Sequence, residues 1–313
     1  MTNHKCTIKV TAILCLLIFG SLMISSLLAT WVYQCLGESS GWLSDMLLSR
    51  GPHKLMRRFL MIFLLLTLPV VLGRYCWNGF NDMAIGPRIQ WETLCRGLIL
   101  GLISLGMVAI YTAFKGYRVY DASLDFLTIT LKLSRYFLSA IVIGFLEETL
   151  TRGILFRSLA RLWKNRTAAL VTSICFAIGH FATPSPEAFN QDGSIIKISL
   201  NVLISMWETA LTHDFVWLQI LNLTLMGYVL CIFVARYGTI WFAAGLHAGW
   251  AWIKLANSFL MDINFEKSHS LWLGHRSDNL DSLLCMLMLT LFLVGASRIP
   301  IQHVEYKLCK KLT

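Results

Sequence analysis

The chain has 313 residues, of which 56% are apolar and only 14% charged, and its mean hydropathy is +0.64. A soluble globular domain carries nearer a quarter of its residues as charges, so the composition excludes that class and points to a polytopic membrane protein. The formal net charge of +10 does not indicate nucleic-acid binding, because basic residues such as Lys54, Arg57 and Arg58, or Arg157, Arg161, Lys164 and Arg166, flank apolar runs; there they set topology and meet lipid headgroups.

A helix needs roughly 20 residues to cross a hydrocarbon core. The apolar runs, in chain order, are Val10–Leu36, Phe59–Leu72, Leu94–Phe114, Tyr136–Phe156, Ala168–Phe181, Val216–Ala235, Thr239–Ala256 and Leu280–Ala296. The first follows Lys5 and Lys9 as a signal peptide would, but its apolar stretch is too long for a signal-peptide core and further spans follow, so it reads as a retained anchor. The second and fifth are short and extend into their flanks. Ile195–Leu211 is interrupted by Lys197, Asn201 and Glu208 and reads as an amphipathic or partly buried helix. The expected fold is therefore all-α, a polytopic membrane helix bundle with about eight transmembrane helices.

With the N-terminus inside, Arg157–Arg166 and the tail residues Lys307, Lys310 and Lys311 fall inside, while Lys54, Arg57, Arg58, Lys115, Arg118, Lys132 and Arg135 fall outside. The cysteines Cys15, Cys35, Cys95, Cys175, Cys231 and Cys285 lie in or beside spans without metal-type spacing and read as small apolar fillers. Cys309, followed by two lysines, makes no prenylation box. The turn-rich loop Thr183–Ser194 follows a histidine-bearing span, and reads either as a lid or as an ordinary surface loop. Glycines four apart recur at Gly97 and Gly101 and at Gly245 and Gly249, a spacing that lets membrane helices approach closely; the second pair brackets His247.

One span holds an anomaly. Phe145–Phe156 reads FLEETLTRGILF, with two adjacent carboxylates and an arginine at membrane depth. Such charges cost a few kcal/mol even on lenient scales, so they face a bundle interior or an aqueous cavity, and they mark either a functional site or an ion pair that fixes packing. Glu148 and Arg152 are four apart on one helix face, acid first, which is the favourable order for a pair. Glu147 lies about 100° around the helix, with Thr151 below it. One acid is thus neutralised; the other, unpaired in a poorly solvated site, is the more basic and suits a general base. Two histidines lie in other spans: His180, four residues after Phe176, and His247 in AAGLHAGWAW. Either alone is as often a packing residue as a site residue, but with the glutamate pair they suggest a shared site.

Glu147-Glu148-x-x-x-Arg152, then Phe176-x-x-x-His180, then His247 in a glycine-rich helix, resembles the CPBP family of intramembrane CAAX-protease and bacteriocin-processing (Abi) proteins. The resemblance covers roughly 136–256. It divides the chain into N-terminal transmembrane helices over 1–135, a catalytic core over 136–256, and a loop, last transmembrane helix and basic tail over 257–313. It implies an endopeptidase in which Glu147 and His180 activate a water, Glu148 and Arg152 orient the site, and His247 helps stabilise the oxyanion. It also implies partners: membrane lipids and a membrane-associated or lipidated protein or peptide substrate. The expected location is the cytoplasmic membrane of a bacterium. No cofactor is expected.

The sequence departs from the family at Ala251, where an Asn or Asp usually stands one turn after the histidine. Loss of an oxyanion donor costs about 100- to 1000-fold in rate. Asn201, Asn222 and Trp250 are the substitutes within the core, and Trp241, Trp250 and Trp252 are either contacts for an apolar substrate or interface anchors. The alternatives are a non-catalytic immunity or partner protein on the same scaffold, a zinc-dependent protease using the histidines and carboxylates, and a proton-coupled transporter.

Overall fold

The computed structural model describes residues 2–37, 51–75, 83–86, 88–181, 184–211, 216–264, 271–274 and 280–298. Among the described residues the fold is all-α. Nine helices follow one another: α1 (Thr2–Gly37), α2 (Pro52–Tyr75), α3 (Trp91–Phe114), α4 (Phe126–Leu162), α5 (Asn165–Phe181), α6 (Ile195–Leu211), α7 (Val216–Tyr237), α8 (Trp241–Leu260) and α9 (Leu283–Ser297). Two short strands, β1 (Arg118–Tyr120) and β2 (Met261–Ile263), and a 3₁₀ turn (Pro186–Asn190) complete the described elements. The tail residues Lys307, Lys310 and Lys311 and Cys309 lie outside the described residues.

Every expected apolar run coincides with a helix, Thr239–Ala256 and Leu280–Ala296 starting two and three residues ahead of theirs, and among the described residues four helices are both long and apolar enough to cross a membrane: Ala12–Leu36 of α1, α3, α4 and α7. The difference from eight has physical causes. At 1.5 Å per residue, the 17 residues of α5 and 15 of α9 reach about 25 and 22 Å, short of a ~30 Å core. In α8 every residue from Trp241 to Trp250 is buried, so small packing residues replace the bulky aliphatics that lipid would favour.

The described residues divide into two compact units. The first draws on Met1–Trp77 and Ile178–His213, the second on Asn78–Ala177 and Asp214–Leu308, and α5 runs from the second into the first. In the first unit α1 packs against α2 and α6. Ile198, Val202 and Met206, one turn apart on α6, join Ala29, Met56, Ala188 and Phe189 in its core, while Ile196, Leu200 and Ile204 face outward. The described part of the turn-rich loop is a packed 3₁₀ turn, Pro186–Asn190, capped by Ser185. Its Ala188 and Phe189 are core residues, and the Phe189 ring meets Tyr33 edge-on at 5.9 Å. This stretch is an anchored turn.

In the second unit α8 is clasped between α3 and α4. The two glycine pairs meet each other. A Cβ on Gly97, Gly101 or Gly245 would run into the carbonyl of Phe242, Leu246 or Leu94, and one on Gly249 would lie 2.6 Å from the Leu98 carbonyl. On the opposite side of α8, Gly144 of α4 fits between Ala244 and Ala248, with 3.1 Å from a would-be Cβ to the Ala244 carbonyl. Since lipid tails are as apolar as side chains, backbone proximity and dispersion hold these helices together. α7 lies inside: 61% of its most apolar window is buried, against 11% for α4. Antiparallel pairing of β1 with β2, Arg118 opposite Ile263 and Tyr120 opposite Met261, fastens the α3–α4 connection to the end of α8.

Candidate active site

α4 starts from Asp125, whose side chain accepts the Thr128 N–H at 2.9 Å, and stays α-helical to Glu148. From Thr149 to Phe156 it widens into a π-helical segment, then returns to α-helix over Arg157–Leu162. Wide turns of this kind recur at functional sites. Gly153 lies within it against the Met83 carbonyl, where a Cβ would stand 2.7 Å away.

The acidic pair occupies the junction. Glu148 and Arg152 have no exposed side-chain surface, and Arg152 Nη1 donates to Glu148 Oε1 at 2.8 Å. The guanidinium is held on three further sides: Nη1 lies 2.6 Å from Thr151 Oγ1, Nη2 donates to the Gly227 carbonyl of α7 at 3.2 Å, and its carbon stands 4.3 Å over the centre of the Phe176 ring from α5. Thr151 in turn donates to the Glu147 carbonyl at 2.5 Å. A buried cation is tolerated where its charge is paired and its N–H groups are satisfied; these contacts pair the charge and engage both terminal nitrogens, leaving the buried Nε without a hydrogen-bond partner.

α8 brings His247 to the same carboxylate. Its Nδ1 is 2.8 Å from Glu148 Oε1, and its Nε2 is 3.8 Å from Glu147 Oε2. The imidazole side chain is 7% exposed and that of Glu147 14%, so Glu147 is the most accessible of the four ionisable groups. Phe176 meets the His247 ring edge-on, 5.9 Å between centres at 78°, and so packs against both the imidazole and the guanidinium.

Four of the five site residues expected from sequence, Glu147, Glu148, Arg152 and His247, therefore form one cluster. His180 stands half-buried in the last turn of α5, among the residues of the first unit. Thr151, Gly227 and Phe176 also support the cluster. Phe176 had a signal in its spacing from His180; Gly227, a lone glycine in a long apolar helix, had none.

The donors considered as replacements at position 251 are already engaged. Asn222 gives both amide hydrogens to the Leu280 and Ser282 carbonyls, at 2.7 and 2.9 Å. Trp250 donates its indole N–H to Ser104 Oγ at 3.0 Å, and Asn201 donates to Gln191 Oε1 at 2.5 Å. Trp241 and Trp252 donate to the Ile85 and Leu133 carbonyls, at 2.8 and 3.0 Å, so these tryptophans are tied into the bundle. Among the described residues no three His, Cys, Asp or Glu side chains converge in a metal-binding arrangement.

Next to the cluster, α3, α4 and α8 enclose an apolar groove of about 280 Å³. Its wall includes Trp91, Leu98, Ile141, Phe145, Trp241 and Ala248. Phe145 and Trp241 stack at 5.5 Å. Phe145 is two residues from Glu147, and Ala248 adjoins His247, so groove and cluster share the same helices.

The family described as type II CAAX prenyl endopeptidase, Rce1-like, matches residues 129–253. The matched segment contains Glu147, Glu148, Arg152, His180 and His247. No curated protein and no solved structure matches the chain. With four helices among the described residues long and apolar enough to cross a bilayer and a match to a membrane-protease family, the chain is an integral membrane protein.

Proposed function

We propose, from the premise that residues 129–253 are a domain of the Rce1-like CAAX endopeptidase family, that this protein is a glutamate-dependent intramembrane endopeptidase. The observation that carries the reading is the division of labour between adjacent acids. Glu148 is spent on Arg152 and His247, while Glu147 keeps a partly exposed carboxylate facing the imidazole at 3.8 Å. Glu147 takes a proton from water as that water attacks the peptide carbonyl, and Glu148 and Arg152 hold the geometry. The apolar groove beside the cluster suits a membrane-associated or lipidated protein or peptide.

Charge at the two ends of the second unit supports an orientation. The end where α4, α7 and α9 finish carries Arg88, Arg96, Arg157, Arg161, Lys164, Arg166, Arg236 and Arg298 against Glu92. Its elements are joined by Arg157 to the Gly238 carbonyl at 2.6 Å and by Arg236 to the Ser297 carbonyl at 3.0 Å. At the other end Asp121, Asp125, Asp262 and Asp281 offset Lys115, Arg118, Lys132, Arg135 and Lys254. The basic end faces the cytoplasm by the positive-inside rule, in keeping with an N-terminus inside and a bacterial cytoplasmic membrane. His247, six residues from the start of α8, lies about 9 Å from that end, which favours substrate entry from the cytoplasmic leaflet.

A second reading, a non-catalytic partner protein on this scaffold, is favoured by one observation: position 251 is alanine and the neighbouring donors are engaged. Purified protein with a panel of farnesylated and membrane-anchored reporter peptides separates the readings. Cleavage that survives a strong chelator and disappears in Glu147→Ala supports the metal-free glutamate mechanism, whereas chelator-sensitive cleavage supports the zinc-dependent version. Silence in folded wild type with cleavage by Ala251→Asn supports the non-catalytic scaffold.

A further inference from the structure

The outer faces of α7 and α9 lead to the same place. On α9, Leu287, Leu291 and Val294 are exposed, and their spacing of four and three residues puts them on one line of the helix, with Arg298 next in that line. α7 is largely buried, and Leu225, Tyr228 and Ile232 mark the line that stays partly open, with Arg236 next in it. Two apolar stripes on helices that pack together thus each end in an arginine.

The two arginines are joined. Arg236 Nη2 donates to the Ser297 carbonyl at 3.0 Å, and that carbonyl belongs to the peptide whose nitrogen is that of Arg298. The bond caps the end of α9 and uses one nitrogen of the guanidinium; Arg236 Nε is buried without a hydrogen-bond partner. Arg298 is exposed, and among the described residues its side chain is in no ion pair or hydrogen bond. A third guanidinium, that of Arg157, is bonded to the Gly238 carbonyl two residues beyond Arg236. Neither α7 nor α9 contains an acid, and Glu92, the acid of this end among the described residues, is paired with Arg96 at 2.5 Å. Donors and positive charge here exceed the anions that the described residues supply.

Depth decides which anion fits. Arg298 lies 11 residues beyond Leu287, about 16 Å along the helix, which is close to half of a ~30 Å hydrocarbon core. An acyl chain laid along the stripe from the bilayer midplane therefore delivers its phosphate to the arginines. Guanidinium groups hold phosphate through paired N–H bonds, and basic sites between helices take up acidic headgroups. A soluble anion would engage the charges and leave the apolar stripes unused.

We propose that the seam between α7 and α9 binds one anionic phospholipid, its phosphate held by Arg236 and Arg298 and a chain lying along Leu287, Leu291 and Val294. The site is separate from the acidic cluster and does not depend on the endopeptidase reading. Its occupant ties the end of α9 to α7, the helix that offers the Gly227 carbonyl to Arg152.

Native mass spectrometry of the full chain, released from detergent containing equimolar phosphatidylglycerol and phosphatidylcholine, tests it. The expected result is one retained phosphatidylglycerol, preferred by about tenfold or more in wild type and by about twofold or less in Arg236→Gln with Arg298→Gln. Arg298→Gln alone keeps the Arg236 bond to Ser297, and should still lower the preference by about threefold. Lys164→Gln with Arg166→Gln removes the same charge from exposed positions of this end and should leave the preference intact. Wild type without a preference, or a preference undiminished in Arg298→Gln, overturns the site. An equal loss in the Lys164 and Arg166 variant also overturns it, in favour of a diffuse surface field. Thermal unfolding supplies the second readout: phosphatidylglycerol should raise the midpoint and sn-glycerol 3-phosphate should not. An equal rise with the soluble phosphate would replace the lipid by a free anion.

Discussion

The two sides of α8 solve the same problem with opposite chemistry. Toward α3 it offers Gly245 and Gly249, and the two backbones approach so closely that no side chain fits between them. Toward α4 it offers His247 to a fully buried carboxylate and guanidinium. The first side holds by close backbone packing and the Trp250–Ser104 hydrogen bond, and presents no ionisable group. The second accepts the cost of desolvating charges, and in return fixes an imidazole against Glu147. The contrast teaches that the stable seam and the chemical seam are separate surfaces of one helix, so the site is mounted on a helix whose other side is already fixed.

The largest expected effect comes from breaking the inert side. Gly245→Leu places a branched chain where the Leu94 carbonyl stands; the expected outcome is loss of the folded monodisperse species in size-exclusion chromatography, since overpacking against backbone leaves no flexible group to yield. Next is the charged side. Arg152→Ala strands a buried carboxylate and should cost about 3–5 kcal/mol, read by thermal or denaturant unfolding in detergent. The double variant Glu148→Leu with Arg152→Met should recover most of that loss while abolishing reporter cleavage, which separates folding from function at one place; a double variant less stable than Arg152→Ala would show that the pair itself is needed for packing. Ser104→Ala, which removes the acceptor of the Trp250 indole N–H, should cost about 1–3 kcal/mol. Smallest in stability is Glu147→Gln, expected within about 0.5 kcal/mol of wild type because the side chain is partly exposed and the change keeps its size, yet it should reduce cleavage by about 100-fold or more.

Local spacing made part of this legible. The order Glu148 then Arg152 is read from four-residue periodicity, and the pair forms as that rule requires, even though the chain between them is π-helical. The glycine pairs are legible as close-packing faces, but not that each is the other's partner, because the two lie nearly half the chain apart. The same distance hides the Glu148–His247 contact, which joins positions 99 residues apart. Hydropathy located the helices but could not tell lipid-facing ones from α8, which is apolar for burial in protein. His180 was legible as sharing a face with Phe176; its position beyond the boundary between compact units was not, because nothing in the run CFAIGH changes there.

The pair inside α4 also bears on how the chain is made. Synthesis runs from the N-terminus at roughly 5–20 residues per second, so His247 leaves the ribosome several seconds or more after Glu148 and Arg152. During that interval α4 must enter the bilayer with its acid and its cation, before α7 can offer the Gly227 carbonyl and before α8 exists. Because Glu148 and Arg152 satisfy each other within a single helix, the span is delivered to the membrane with those two charges already cancelled. The salt bridge is thus a passport for insertion first, and becomes the foundation of the site when the later helices arrive.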